Sequence, residues 1–155
     1  MPLELIAAAV GVVEVTARSS SKAWKLCAKW KDAPREVYSL RDDLDRAGTF
    51  FSLVRHGLDN NFSDPNDPSR VKLVEELHAL IKKGQAVLTN LEAVIDTVLE
   101  ARPGGKGEID EQNETELRKK YRLMWLRRYN TAKTLKASLY HIMDQTKMYL
   151  TLMSV

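Results

Sequence analysis

Apolar residues recur at intervals of three and four in four long stretches of this chain, the spacing of one face of an α-helix. The first stretch is the most unusual. Set on a helix from Leu3 to Lys29, the residues Glu4, Gly11, Arg18, Lys22, Lys25 and Lys29 fall in one narrow polar stripe with Glu14 at its edge. Most of the remaining circumference is apolar or small, including Leu5, Ile6, Val10, Val12, Val13, Ala17, Ala23, Trp24, Leu26, Cys27 and Trp30. A surface helix buries an arc of roughly 100°, whereas this arc is about 200°. Such a helix is expected to sit among several neighbours or in a medium other than water.

The pattern predicts helices over about 3–31, 34–58, 68–101 and 113–153. Ser19-Ser20-Ser21 is the weak point of the first, and Asp32-Ala33-Pro34 marks a sharp corner, with Asp32 suited to cap the next segment. The second helix carries Val37, Leu40, Leu44, Ala47, Phe51, Val54 and Leu58 on one face. Its other face, with Asp42-Asp43 and several arginines, reads as solvated. Residues 59–69 are turn-rich. The third helix contains Gly84 at mid-length, a position that permits close helix approach. Residues 102–112 read as a flexible linker. The fourth helix opens on Asn113 with Glu116 three residues on, a variant of the capping box. No strand pattern competes, so the expected architecture is all-α: an up-down bundle of four long helices, some of them open to interruption.

Composition fits a single globular domain of 155 residues, with 44% hydrophobic and 29% charged residues. The net charge of +3 is unevenly placed. From Asn113 onward nine Lys/Arg face Glu114, Glu116 and Asp144, a net +6, while the preceding residues carry fifteen cations and eighteen acids, a net −3. A basic last helix implies an anionic partner or an acidic neighbouring helix. Cys27 is the only cysteine, which points to a reducing compartment. The opening lacks the positive start of a secretory signal and carries Glu4 and Glu14. Glu14, Arg18 and Lys22 also interrupt the roughly 20 apolar residues that a membrane span needs. A secreted cytokine-like ligand is therefore disfavoured.

No catalytic pattern emerges. Gly104-Gly105-Lys106-Gly107 lacks the spacing and the following Ser/Thr of a phosphate loop. His56, His78 and His141 lie on three helices without metal-ligand spacing. Cys27 reads as a small buried hydrophobe. The chain is expected to be a non-enzyme with no cofactor and no metal. Nucleic acid is not expected as a partner, since no recognised motif accompanies the charge.

The basic clusters Arg118-Lys119-Lys120-Tyr121-Arg122 and Arg127-Arg128 flank Trp125, a mix suited to phospholipid headgroups. The alternative is that these cations pair with acids of helices two and three. Trp24 and Trp30 are open to the same two readings, as interfacial anchors or as core.

The opening Leu3-Glu4-Leu5-Ile6-Ala7-Ala8-Ala9-Val10-Gly11-Val12-Val13 resembles the start of the HeLo-like N-terminal domains of fungal NOD-like receptors and other STAND proteins. So does Asp32-Ala33-Pro34-Arg35-Glu36-Val37-Tyr38-Ser39-Leu40-Arg41-Asp42-Asp43-Leu44. Leu88-Thr89-Asn90-Leu91, and Lys119 to Leu152 with Trp125, fit more loosely. The resemblance covers most of the chain without a single sharp fingerprint. It implies a membrane-targeting, cell-death-executing helical domain of innate immunity and heterokaryon incompatibility, likened to the four-helix killer domain of necroptosis proteins. It also implies a downstream receptor or amyloid-signalling region after Val155, and a cytoplasmic protein that moves to the plasma membrane on activation.

Together these features set one expectation. On activation and homo-oligomerisation, helix one leaves the bundle, and Leu5, Ile6, Val10, Val12 and Val13 enter an anionic bilayer. Lys22, Lys25, Lys29, Arg118, Lys119, Lys120, Arg122, Arg127 and Arg128 then hold headgroups, with Trp24 and Trp125 at the interface. The rival expectation is a soluble homotypic or adaptor signalling module whose first helix never leaves.

Overall fold

The computed structural model describes residues 2–61, 68–101 and 111–153. They form α1 (Pro2–Lys29), α2 (Arg35–Asn61), α3 (Pro68–Leu99) and α4 (Glu111–Met153), an all-α four-helix bundle. The predicted helix ends differ from the observed ones by at most three residues. None of the four helices is interrupted. Of the expected linker, residues 102–110 lie outside the described residues, and Glu111 and Gln112 belong to α4. The glycine-rich segment Gly104–Gly107 lies outside them too.

Helix α1 packs against α2 on one side and α3 on the other, and α4 closes the bundle against α3. The α2–α4 side is the loosest, and α1 and α4 occupy diagonal corners. The corner between α1 and α2 is tight. The Trp30 amide donates to the Leu26 carbonyl at 2.8 Å and the Ala33 amide to the Trp30 carbonyl at 3.1 Å, so the chain turns within five residues. Asp32 does not cap α2; its exposed carboxylate lies 3.7 Å from Arg118 of α4. Trp30 is buried and its ring centroid lies 5.7 Å from that of Tyr121, tying the corner to the start of α4.

The serine triplet leaves α1 intact because the hydroxyls of Ser19 and Ser20 find partners, while Ser21 is exposed to solvent. Ser19 is fully buried and donates to the Val15 carbonyl at 2.7 Å, a local bond that satisfies the group without opening the helix. Ser20 donates to Asp45 of α2. Gly84 stands where all four helices converge. A Cβ there would lie 3.4 Å from both Phe51 of α2 and Ile142 of α4, and 3.9 Å from Val12 of α1. The missing side chain lets the Phe51 ring seat against the α3 backbone. The core runs from this point along Leu5, Leu44, Ile81, Leu88, Ile95 and Leu139, all at most 1% exposed.

Candidate functional site

The broad apolar arc of α1 splits into two stripes. Leu5, Ala8, Ala9, Val12 and Val15 form the buried one, with Leu5, Ala9 and Val12 at 0% exposure. Ile6, Val10 and Val13 are only partly buried, and they follow Leu3, which is 81% exposed. At helical spacing this second stripe continues through Ala17 to Trp24. The five aliphatics expected to enter lipid therefore do not share one face: Leu5 and Val12 belong to the core, while Ile6, Val10 and Val13 border solvent. Leu3, absent from the expected set, belongs with the second group. An open groove of about 800 Å³ runs beside it between α1 and α2, lined by Val13, Ala17, Ser20, Trp24, Gly48 and Leu53 among others.

The polar stripe of α1 faces α3. Gly11 leaves room for Gln85, whose amide nitrogen would come within 3.1 Å of a Cβ there. Further along, Arg18 donates through Nε to Glu92 at 2.6 Å and through a terminal nitrogen at 3.2 Å, and Lys22 reaches Glu92 and Asp96 at 3.0 Å each. On the α2 side, Trp24 donates Nε1–H to the Asp45 carboxylate at 3.0 Å, and the Arg41 guanidinium lies 4.1 Å from the Trp24 ring centroid. Trp24 remains 50% exposed. Among the described residues, every side-chain hydrogen bond or ion pair joining α1 to α2 or α3 lies between Arg18 and Trp24. From Leu5 to Val15 the helix is held by apolar packing.

Glu92 is the centre of this latch, with a side chain one-tenth exposed. The hydrogen bonds from Arg18 hold its carboxyl below the ordinary range; Lys22 adds to them, and burial opposes. A depressed carboxyl stabilises the fold at pH above its unfolded value of about 4.3, and the contribution is lost as pH falls through the native value. Glu92→Gln should therefore lower unfolding free energy at pH 7 by about 1–2 kcal/mol, discounted because its cationic partners are partly solvated. The check is urea denaturation from pH 7 to pH 2: the gap between wild type and variant should close in acid, and a gap that stays constant would count against the assignment.

Across the loose α2–α4 side lies a second polar cluster. Asp42-Asp43 was expected to be solvated, yet Asp43 is 7% exposed. Tyr140 of α4 donates its hydroxyl to one oxygen, and the Lys136 ammonium stands 2.7 Å from the other. Burial, and then Asp43, push the Tyr140 phenol up. Adjacent acids point to different sides of a helix, so one can face inward while its neighbour does not. Asp42 is exposed and meets Arg41.

The basic residues of α4 divide likewise. Arg118 pairs with Asp32 of the α1–α2 corner, not with an acid of α2 or α3 as the pairing alternative has it, and Lys136, outside the two clusters, pairs with Asp43 of α2. Lys119, Arg122, Arg127 and Arg128 are exposed. Trp125, expected at a lipid interface, is 4% exposed and packs edge-on to Tyr129 at 6.0 Å between centroids; in this fold it is a core residue. Exposed apolar side chains on α4 are instead Leu123 at 49% and Leu126 at 65% near its start, and Met148 and Leu152 toward its end; none of these was among the expected interfacial residues. Lys25 and Lys29 are exposed near the corner where Trp30 meets Tyr121, so the cations at the end of α1 and the start of α4 share one end of the bundle.

Cys27 is buried, and burial pushes its thiol up. Among the described residues no group of three His, Cys, Asp or Glu side chains is arranged to hold a metal ion, and no helix is long and apolar enough to cross a membrane. No protein-family model matches the chain, and no curated protein or solved structure is significantly similar to it.

Proposed function

We propose that this domain is a membrane-targeting executioner of cell death, acting by oligomerising and releasing the first half of α1 into an anionic bilayer. The observation that carries the reading is the uneven attachment of α1. Its second half is latched by Glu92, Asp96 and Asp45, and its first half makes no side-chain hydrogen bond or ion pair to α2 or α3 among the described residues. Acyl chains can replace hydrocarbon contacts without loss, whereas they offer nothing to the partners of the latch.

Magnitudes restrict how this can happen. Fully burying one large aliphatic contributes roughly 1.5–3 kcal/mol, so withdrawing the buried Leu5 and Val12 into water, with smaller terms from the partly buried Ile6, Val10 and Val13, costs at least several kcal/mol, a large share of the stability of a domain. The segment can leave only when lipid or other copies receive it. Leu5 to Val13 spans about 12 Å as a helix, less than half of a hydrocarbon core of about 30 Å. A single copy reaches into one leaflet, and leakage requires several. Dye release from phosphatidylserine-containing vesicles should therefore rise more steeply than linearly with protein concentration. Vesicles that stay sealed at every concentration would refute the reading.

The open α1–α2 groove, with Trp24 and Leu53 exposed beside it, favours a second reading: a homotypic or adaptor module that recruits a partner while α1 stays in place. It predicts association by light scattering with no leakage.

A further inference from the structure

We infer that the outer face of α4 between Lys119 and Lys133 is a docking surface for an anionic phospholipid bilayer, already formed while α1 is packed in the bundle. It shares the bilayer target of the proposed function but requires no release of α1.

Residues 117–143 contain eight cations (Arg118, Lys119, Lys120, Arg122, Arg127, Arg128, Lys133 and Lys136) and no acid. Leu123 and Leu126 are 49% and 65% exposed among them. At three and four residues apart on a helix, Lys119 and Arg127 neighbour Leu123, and Arg122 neighbours Leu126. The buried positions Tyr121, Trp125, Ala132 and Leu139 mark the opposite side. The two leucines thus stand at the centre of a face rimmed by cations, and among the described residues Lys119, Arg122, Arg127 and Lys133 enter no ion pair.

The chemistry selects the partner. Cations alone would serve any polyanion, but two half-exposed leucines contribute nothing to phosphate contacts on a nucleic acid. At a bilayer they reach below the headgroups while the long cationic side chains stay at phosphate level. The face extends about 21 Å along a straight helix, a shape that meets a plane. Diagonal placement of α1 and α4 leaves the inserting stripe of α1 on another side of the bundle, so docking and release are separate events.

The test uses the full 155-residue chain in sedimentation with vesicles of phosphatidylcholine and phosphatidylserine, and with phosphatidylcholine alone. Wild type should bind the anionic vesicles selectively. Lys119→Gln/Arg122→Gln/Arg127→Gln should weaken that binding about a hundredfold, at the usual contribution of each cation on an anionic surface. Leu123→Gln/Leu126→Gln should weaken it about tenfold or more with an unchanged melting temperature. Val10→Asp should lose leakage yet keep selective binding to the anionic vesicles through the α4 face. Unchanged vesicle binding by the leucine variant, with the charge variant defective for vesicles and for a DNA duplex alike, would make the face a generic polyanion site and overturn the inference. Loss of self-association by the leucine variant with vesicle binding intact would overturn it in favour of a second copy. If wild type binds through these residues but never leaks, docking stands and the proposed release falls; if it leaks and the leucine variant binds and leaks equally, the reverse holds.

Discussion

Val12→Asp should abolish folding, with the helical circular dichroism signal and the cooperative melt both lost at 25 °C. Val12 is 0% exposed and stands by Gly84 where Phe51 and Ile142 also meet. The change removes about 2 kcal/mol of apolar burial. It also places a carboxylate where water cannot follow, at a further cost of several kcal/mol. Together these approach the total of about 5–15 kcal/mol available to a domain. The nearest polar hydrogens on α1 are already committed: Thr16 donates to the Val12 carbonyl itself. A native-like melt for this variant would mean that the α1 segment around Val12 is not held as described.

Val10→Asp and Ile6→Glu should behave oppositely. Both positions lie on the stripe that borders solvent, so a carboxylate there keeps its hydration and the bundle should form with a modestly lowered melting temperature. Membrane activity should nevertheless collapse. A carboxylate carried into the hydrocarbon costs about 2.5–3.5 kcal/mol at the centre of an inserted helix, so dye release should fall about a hundredfold at matched protein concentration. Either variant, folded and still permeabilising vesicles as wild type does, would end the release mechanism. Because the two stripes are interleaved along α1, a shift of two residues moves the defect from folding to membrane activity.

Much of the architecture was readable from periodicity alone. The four helices follow from their apolar spacing, and Pro34 with its neighbours marks the α1–α2 corner. The errors share one physical source, which is that flanking sequence is not flanking space. Trp125 stands among cations in the chain, but Tyr121, Trp125, Ala132 and Leu139 recur at four and seven residues and form the inner face. Leu123 and Leu126 are off that face by the same spacing. Asp43 was grouped with Asp42, although only Asp43 turns toward Lys136 and Tyr140. The division of the α1 arc was less accessible, because an apolar circumference does not say which neighbours cover which part. That depends on α1 having α2 and α3 beside it and α4 across the diagonal.

The pairing of Arg18 and Lys22 with Glu92 and Asp96 was likewise not legible. Four residues separate Arg18 from Lys22 and Glu92 from Asp96, which puts each pair on one helix face. The sequence gives no register between α1 and α3, and that register makes the latch.

The decisive measurement places an environment-sensitive fluorophore at Val10→Cys, and separately at Lys25→Cys, in a Cys27→Ala background, with quenchers attached either to acyl chains or to headgroups of phosphatidylserine vesicles. The label at position 10 should shift to the blue and be quenched from the acyl chains, while the label at position 25 should be quenched from the headgroups only. A label at position 10 that keeps its aqueous emission on leaking vesicles would contradict it.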